Sequence, residues 1–434
     1  MTSDTGLVGN VLCTSFGGGS YLNYHDDTFQ YFNGTHWVQM SDAQLGGIIL
    51  SNGSLELCEE KASSTTIREA IRLLKMICAR DKVSTLHHEP PPVINVVNGE
   101  LWILKDGSVE LRPHNPASAQ GFCLPVQYDP SATCPQYDGA LKEIFSRSGD
   151  PSAMAAFWNE LVGYVLQPAR PEARVIVCWG NGGDGKSSLT SLLVDMLGPE
   201  QVAALPVGSL VGNRFAMSHL IGKRLLHDDD VAADIALPDG LIKTISERKV
   251  VTAERKFREP VTFQVRAMPI LLCNSVPRLR DTSNGFRRRL TVIPFSRQFS
   301  PSEADRELFG RIKAIEMPGV LNRALAGLQR VVQRGWNLAP PELVIEVTDQ
   351  WWIKATRSQT PTDITAPPKN VLSPKVHTSA AAEIEPQVHA VVGEAYDCQD
   401  LLVDLKGGRT CSVTIRTPGT TVRVRAAIKA GSRP

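Results

Sequence analysis

Residues 174–197, RVIVCWGNGGDGKSSLTSLLVDML, restrict what this chain can become more than any other stretch. Val175 to Trp179 are an apolar run suited to a buried parallel strand, and Leu189, Leu192, Leu193, Met196 and Leu197 recur at helical spacing. Between them Gly180 to Ser187 fit the pattern G-x-x-x-x-G-K-[ST] at every position. A strand, a glycine-rich loop and a helix in that order make a cradle for phosphate. Gly180, Gly182, Gly183 and Gly185 free the backbone to take positive φ and turn its N–H groups inward at a helix N-terminus, where the helix dipole also favours anions. Asn181, Asp184 and Ser188 complete the nucleotide-binding stretch. Lys186 is placed to reach the outer phosphates and Ser187 to complete a Mg²⁺ shell.

Composition narrows the class. The 434 residues suffice for two or three domains, and 42% hydrophobic with 21% charged residues is an ordinary globular content. The net charge is only +1, so any contact with nucleic acid has to rest on local basic patches rather than a global field. Nine scattered cysteines without a C-x-x-C pair point to reduced thiols in a cytosolic setting. The opening MTSDTGLVGN lacks the basic and apolar regions of a signal peptide, and no apolar run reaches membrane-spanning length. The expectation is a soluble protein that is not exported.

Upstream of the loop, residues 1–40 read as a loose start followed by a small β patch around Tyr24, Phe29, Tyr31, Phe32 and Trp37. A capping box, Thr66 with Glu69, predicts a helix that buries Ile67, Ala70, Ile71, Leu74, Ile77 and Cys78. Val93 to Leu111 split into three short apolar runs at Asn98-Gly99 and Asp106-Gly107, the signature of a β-meander. Residues 128–168 are helical in pattern, and Pro168 and Pro171 mark a linker.

Downstream, Leu225 and Leu226 lead into Asp228-Asp229-Asp230. Roughly forty residues after Lys186, such acids at a strand end suit Mg²⁺ held through water and polarisation of an attacking water; Asp229 with Asp230 is the preferred pair over a solvated acidic turn. KVVTAERKFREPVTFQVR predicts a hairpin whose turn carries Arg255, Lys256, Phe257 and Arg258. Cations around one aromatic ring suit a single nucleic-acid strand, and a mixed-charge surface hairpin fits the pattern equally well. The strand Ile270 to Cys273 ends at Asn274, which can orient a water or simply make a turn. Arg287, Arg288 and Arg289 stand directly before the buried run Leu290 to Phe295, and planar, permanently charged groups there suit a transferring phosphoryl group, often one held by a neighbouring subunit. Pro318 to Arg334 is an amphipathic helix fit for a lid. After Ala355 periodicity is lost, and beyond Asp404 the chain is basic without a single acid, which reads as a disordered tail.

In this order GNGGDGKSS, GKRLLHDDDV, TAERKF, ILLCNSVPRL and NGFRRRLTVIPF resemble the superfamily 3 helicases of the phage and plasmid primase–helicase family, relatives of the poxvirus primase–helicase, over roughly residues 20–350. VNGELWILKDGSVELRPHNP and YDPSATCPQYDGALKEIF resemble the accessory domain that precedes the motor in that family. The resemblance implies an α/β fold: an AAA+-like P-loop core with a parallel sheet (171–300), after a mixed α+β accessory domain (1–170) and before a helical lid (301–354) and an irregular tail (355–434). It implies Walker A roles for Lys186 and Ser187 and Walker B roles for Asp229 and Asp230, which with Ser187 would hold the metal. Asn274 takes the sensor position, Arg288 and Arg289 the arginine-finger region, and Lys256 with Phe257 the tip of a DNA-contacting hairpin. The implied activity is that of an ATP-dependent DNA helicase using ATP and Mg²⁺ in phage or prophage replication in the bacterial cytoplasm. It would work as a homo-hexamer on single-stranded DNA or a fork, with a separate primase or initiator as candidate partner and no membrane. Primer synthesis is not expected. An origin-binding or loading ATPase without unwinding is the first alternative, and a small-molecule P-loop kinase the second.

Overall fold

The opening residues, read as loose from the sequence, form a helix: α1, Thr2–Ser15. Gly6 and Gly9 lower its intrinsic propensity, but Leu7, Val8 and Val11 find a core to bury in, and burial outweighs propensity. The computed structural model describes residues 2–25, 27–53, 64–79, 91–167, 170–232, 235–281, 283–357, 400–405 and 409–414. After α1 come an antiparallel meander, β1 (Leu22–His25), β2 (Thr28–Phe32) and β3 (Trp37–Met40), and the helices α2 (Asp42–Gly53) and α3 (Ser64–Cys78). These elements share a core of their own, with Phe16, Leu22, Phe29, Leu45, Ile49 and Leu74 inside. Helix α3 begins two residues before the predicted cap, and Glu69 pairs with Arg72 at 2.6 Å. Ile77, at the rim of the apolar arc, is exposed instead of buried.

The second meander is as expected: β4 (Val93–Val96), β5 (Gly99–Ile103) and β6 (Val109–Arg112). Two helices follow, α4 (Pro135–Ile144) and α5 (Pro151–Leu166). Then comes the sheet: β7 (Val175–Gly180), α6 (Lys186–Leu197), β8 (Val202–Ala204), β9 (Leu225–Asp228), α7 (Asp239–Ser246), the hairpin β10 (Val250–Arg255) and β11 (Arg258–Gln264), β12 (Met268–Cys273), α8 (Asn284–Arg287) and β13 (Leu290–Phe295). Its five strands are parallel in the order β13-β7-β12-β9-β8. Both faces are covered, which is why the strands read as unbroken apolar runs. Alternate residues serve the two sides: Ile176, Ile270 and Leu272 pack with α4, α5 and α6, whereas Val175, Val177 and Leu271 pack with α7 and the hairpin.

Past the sheet, α9 (Leu308–Arg311) runs through one π-helical turn into α10 (Met317–Gln333), and α11 (Glu342–Arg357) closes the unit. Helix α10 packs on α5 at backbone distance. A Cβ on Gly163 would sit 2.2 Å from the Ala324 carbonyl oxygen, and one on Gly327 2.5 Å from that of Asn159. Glu160, buried on α5, accepts from Arg330 at 2.9 Å and from Arg334. Glu316 reaches back to α4, accepting from the N–H groups of Gln136 (3.1 Å) and Tyr137 (3.0 Å) and satisfying a helix start that Cys134 does not cap. One core therefore runs from Ile94 to Val344, and the boundary expected at 170 marks no break in it. Helix α11 covers the open edge of β13, where the Thr348 hydroxyl accepts from the Val292 N–H at 2.8 Å and Trp351 is fully buried.

Residues 365–434 form a separate unit. Inside the tail predicted to be irregular, β14 (Asp400–Leu405) and β15 (Arg409–Thr414) pair antiparallel. Lys406 and the basic residues from Arg416 to Arg433 lie outside the described residues.

Candidate active site

The glycine-rich loop joins β7 to α6 as its pattern demands, with φ of 90° at Gly182, 62° at Gly183 and 84° at Gly185. Two glycines are also fixed by space: a Cβ on Gly180 would lie 2.6 Å from the Phe295 carbonyl oxygen, and one on Gly185 2.8 Å from Ile144 Cδ1 of α4. Phe299 N–H clamps the loop from outside by donating to the Gly183 carbonyl at 2.8 Å. Lys186 is the first residue of α6, and its Nζ donates to the Gly180 carbonyl (3.3 Å) and to Asp184 Oδ2 (3.1 Å). Asp184, only 2% exposed, also accepts from the N–H groups of Gly182 and Lys186, each at 3.2 Å. The donors of the loop thus already converge on anionic oxygen, which is the chemistry a nucleotide phosphate requires. Asn181 and Ser187 are exposed, Ser188 is half-buried, and beside the two serines a cavity of about 410 Å³ is bounded by Phe309, Gly310 and Lys313, which the sequence did not single out.

Three neighbouring strands bring the other residues to the same edge of the sheet. Strand β12 lies between β7 and β9, so the phosphate loop, Asn274 and the triple acid each follow an adjacent carboxyl end. Asn274 is exposed. The last strand residue of β9 is Asp228, which sequence reasoning passed over; it is buried, and its carboxylate accepts from Val207 N–H (2.7 Å) and Asp230 N–H (3.3 Å). Asp229 and Asp230 are exposed just beyond the strand. The Cys273 thiol reports on this proximity: its pKa is pushed up to about 12, first by burial, then by Asp228, with Asp230 adding and Lys186 opposing.

The arginines go elsewhere. Strand β13 runs parallel to β7 with Leu290 opposite Val175 and Phe295 opposite Gly180, so Arg287, Arg288 and Arg289 stand at the amino edge, about 17 Å of strand away from the loop. Arg287 pairs with Asp349 at 2.8 Å. Arg288 is exposed, and its side chain has no partner among the described residues. Arg289 is buried and held by Glu247 and the Gly285 carbonyl. The pair read together from the sequence is divided, and only Arg288 is presented at the surface.

The hairpin forms as expected, with a bulge between Ala253 and Arg255. Phe257 at its tip takes φ 60°, a costly conformation for a bulky side chain, and is 93% exposed. Lys256 Nζ sits 5.2 Å from the ring centroid, Arg255 is tied to the Glu259 carbonyl at 3.1 Å, and Arg258 is exposed.

The profile of a family described as D5 N terminal like matches residues 10–146, and that of a family of unknown function, DUF5906, matches residues 178–289. A protein of Acanthamoeba polyphaga mimivirus, a helicase by name, is 27% identical over 221 residues, which are 48% of this chain and 22% of its own. Over these stretches the chain is similar to the D5 N terminal like family and to a viral protein named as a helicase. It spans about a fifth of the length of that mimivirus relative. Two solved apo structures of the NrS-1 C terminal region share the fold of this chain. One has a TM-score of 0.53 at 16% identity, over 81% of this chain and 76% of that one; the other has 0.50 at 15%, over 76% and 71%. Among the described residues no helix is long and apolar enough to cross a membrane.

Proposed function

We propose that this helicase relative is an ATP-hydrolysing motor of DNA replication that moves along single-stranded DNA as a ring of identical copies, in the phage or prophage setting its sequence suggests. The observation that carries this reading is the division of the site. Lys186, Asn274 and the acids share one edge of the sheet, while Arg288, without a side-chain partner among the described residues, stands at the opposite edge of the same chain.

The loop N–H groups and Lys186 would hold the phosphates of ATP, in exchange for the Asp184 carboxylate. Bound Mg²⁺ would supply charge neutralisation, held by Ser187, Asp229 and Asp230. Asn274 orients the attacking water, and Arg288 of an adjoining copy completes the pocket. A single strand packs its bases on Phe257, with Arg255, Lys256 and Arg258 neutralising its backbone.

The test is ATP turnover with and without single-stranded DNA across a salt series, followed by strand displacement on a forked duplex. Stimulation that weakens with salt, together with displacement, is expected. Stimulation without displacement would favour a loading ATPase. Turnover indifferent to DNA, with phosphate passed to a small acceptor, would overturn the motor reading in favour of a kinase.

A further inference from the structure

Four arginines gather at the amino edge of the sheet, away from the phosphate loop. Arg224 immediately precedes β9, Arg266 lies two residues before β12, Arg170 lies on the approach to β7 and Arg248 in the turn before β10. Arg170 Nη1 donates to the Arg224 carbonyl at 3.1 Å, and Arg248 Nη1 donates to the Arg170 carbonyl at 3.2 Å. Arg170 and Arg224 are each 4% exposed, and neither has a carboxylate partner among the described residues. The Arg224 guanidinium lies 4.5 Å from the Phe122 ring centroid, and its buried Nη1 has no hydrogen-bond partner.

An arrangement of this kind is costly for folding alone, since a buried cation without a counter-ion loses hydration that one carbonyl or one ring face replaces only in part. Burial pulls the Arg170 pKa down to about 9, with Arg248 and Arg266 adding to the effect against Tyr164. Arg224 is lowered as well, by burial and then by Arg266, Arg170 and Arg248. No acid figures among these influences.

A cavity of about 430 Å³ opens on the cluster. Arg224, Arg266 and Gln201 line it from the sheet side, and Trp37, Gln120 and Phe122 from the amino-terminal side. Gln201 Oε1 is buried and unpaired there too, and the amide can present its donor end by turning over. Glu200 is the one acid on the lining and is exposed. Two guanidinium groups on the lining, with two more behind them, against one solvated carboxylate favour an anion, and their planar forks match phosphate oxygens.

We propose that this cavity is a second anion site, distinct from the phosphate loop, which takes a phosphate group between Arg224 and Arg266 with Arg170 and Arg248 supplying the surrounding field. It stands whether or not the chain is a motor. The phosphate belongs either to the backbone of a nucleic-acid strand or to a small free phosphate compound, and the experiment separates the two.

The full chain carrying Asp184→Asn and Lys186→Ala, which silences the phosphate loop by removing both members of its buried pair, is titrated with inorganic pyrophosphate and, separately, with a fluorescent oligothymidylate. Thermal unfolding and anisotropy are the readouts. Adding Arg266→Gln, at a half-buried position, is expected to weaken one of the two probes by about tenfold or more. Arg266→Lys is expected to recover part of that loss, which a packing defect would not allow. Loss confined to pyrophosphate identifies a small phosphate compound, and loss confined to the oligonucleotide identifies its backbone. Equal affinities for both probes with Arg and with Gln at 266 overturn the proposal. In an otherwise unaltered chain Arg266→Gln should leave DNA-free ATP turnover unchanged.

Discussion

At the carboxyl edge of the sheet the charge of Lys186 is met by Asp184, and three aspartates stand at the end of β9 nearby; at the amino edge Arg170 and Arg224 are buried with no carboxylate partner among the described residues. A chain whose formal charge is only +1 thus holds buried arginines without a nearby carboxylate at one end of its parallel sheet and a cluster of aspartates at the other. The carboxyl edge is neutralised from within and can exchange its internal carboxylate for an incoming anion. At the amino edge Arg287 and Arg289 are met by Asp349 and Glu247, whereas Arg170 and Arg224 have no such carboxylate among the described residues and are open to completion from outside, by an anion or by another copy.

The sharpest way to break this contrast is Lys186→Ala. ATP turnover, followed by phosphate release, should fall by at least a factor of about 10². Calorimetry should also show lost stability, because Asp184 is left buried without its cation. Adding Asp184→Asn should recover the melting temperature and none of the turnover.

The amino edge is tested next. Arg288→Ala should lower turnover by a factor of about 10³ while leaving the melting temperature alone. Arg289→Ala should instead cost about 2 kcal/mol of stability, since the Gly285 carbonyl loses its donor and Glu247 is left with Lys249 alone. Mixing Lys186→Ala copies with Arg288→Ala copies should restore part of the turnover that neither has alone; a mixture as inactive as its components would show that no pocket is shared.

Within the carboxyl edge, Asp228→Asn should destabilise the fold by about 1–2 kcal/mol through its bond to Val207, whereas Asp229→Asn and Asp230→Asn should reduce turnover at unchanged melting temperature. The hairpin should act on DNA binding alone. Phe257→Ala should weaken single-strand binding by about 1–3 kcal/mol, read by anisotropy, with no change in stability.

Much of this was legible in the residues, and the failures share a cause. The phosphate loop, the second meander and the β10-β11 hairpin each announce themselves within a few residues, through glycine at forced φ, paired turn dipeptides and alternating apolar positions. Helix α1 was missed because two glycines mask a segment that is stabilised only by distant packing. Arg288 and Arg289 look alike in sequence, and only the path of the chain past Glu247 and Gly285 separates them. Asp184 gave no signal beyond its place in the loop, because its role depends on a folded lysine. The cluster at the amino edge was invisible, as its four members are scattered over nearly a hundred residues and converge only when the strands align side by side.

The glycines at 163 and 327 carry a practical corollary. Cutting the polypeptide after Phe295 would retain every motif that marks the phosphate-binding sheet, yet it would strip the outer face of α5, strand the Glu160 carboxylate and bare the β13 edge. The shortest piece that keeps its interior dry must run from β4 through α11, well past both limits that motif spacing would draw.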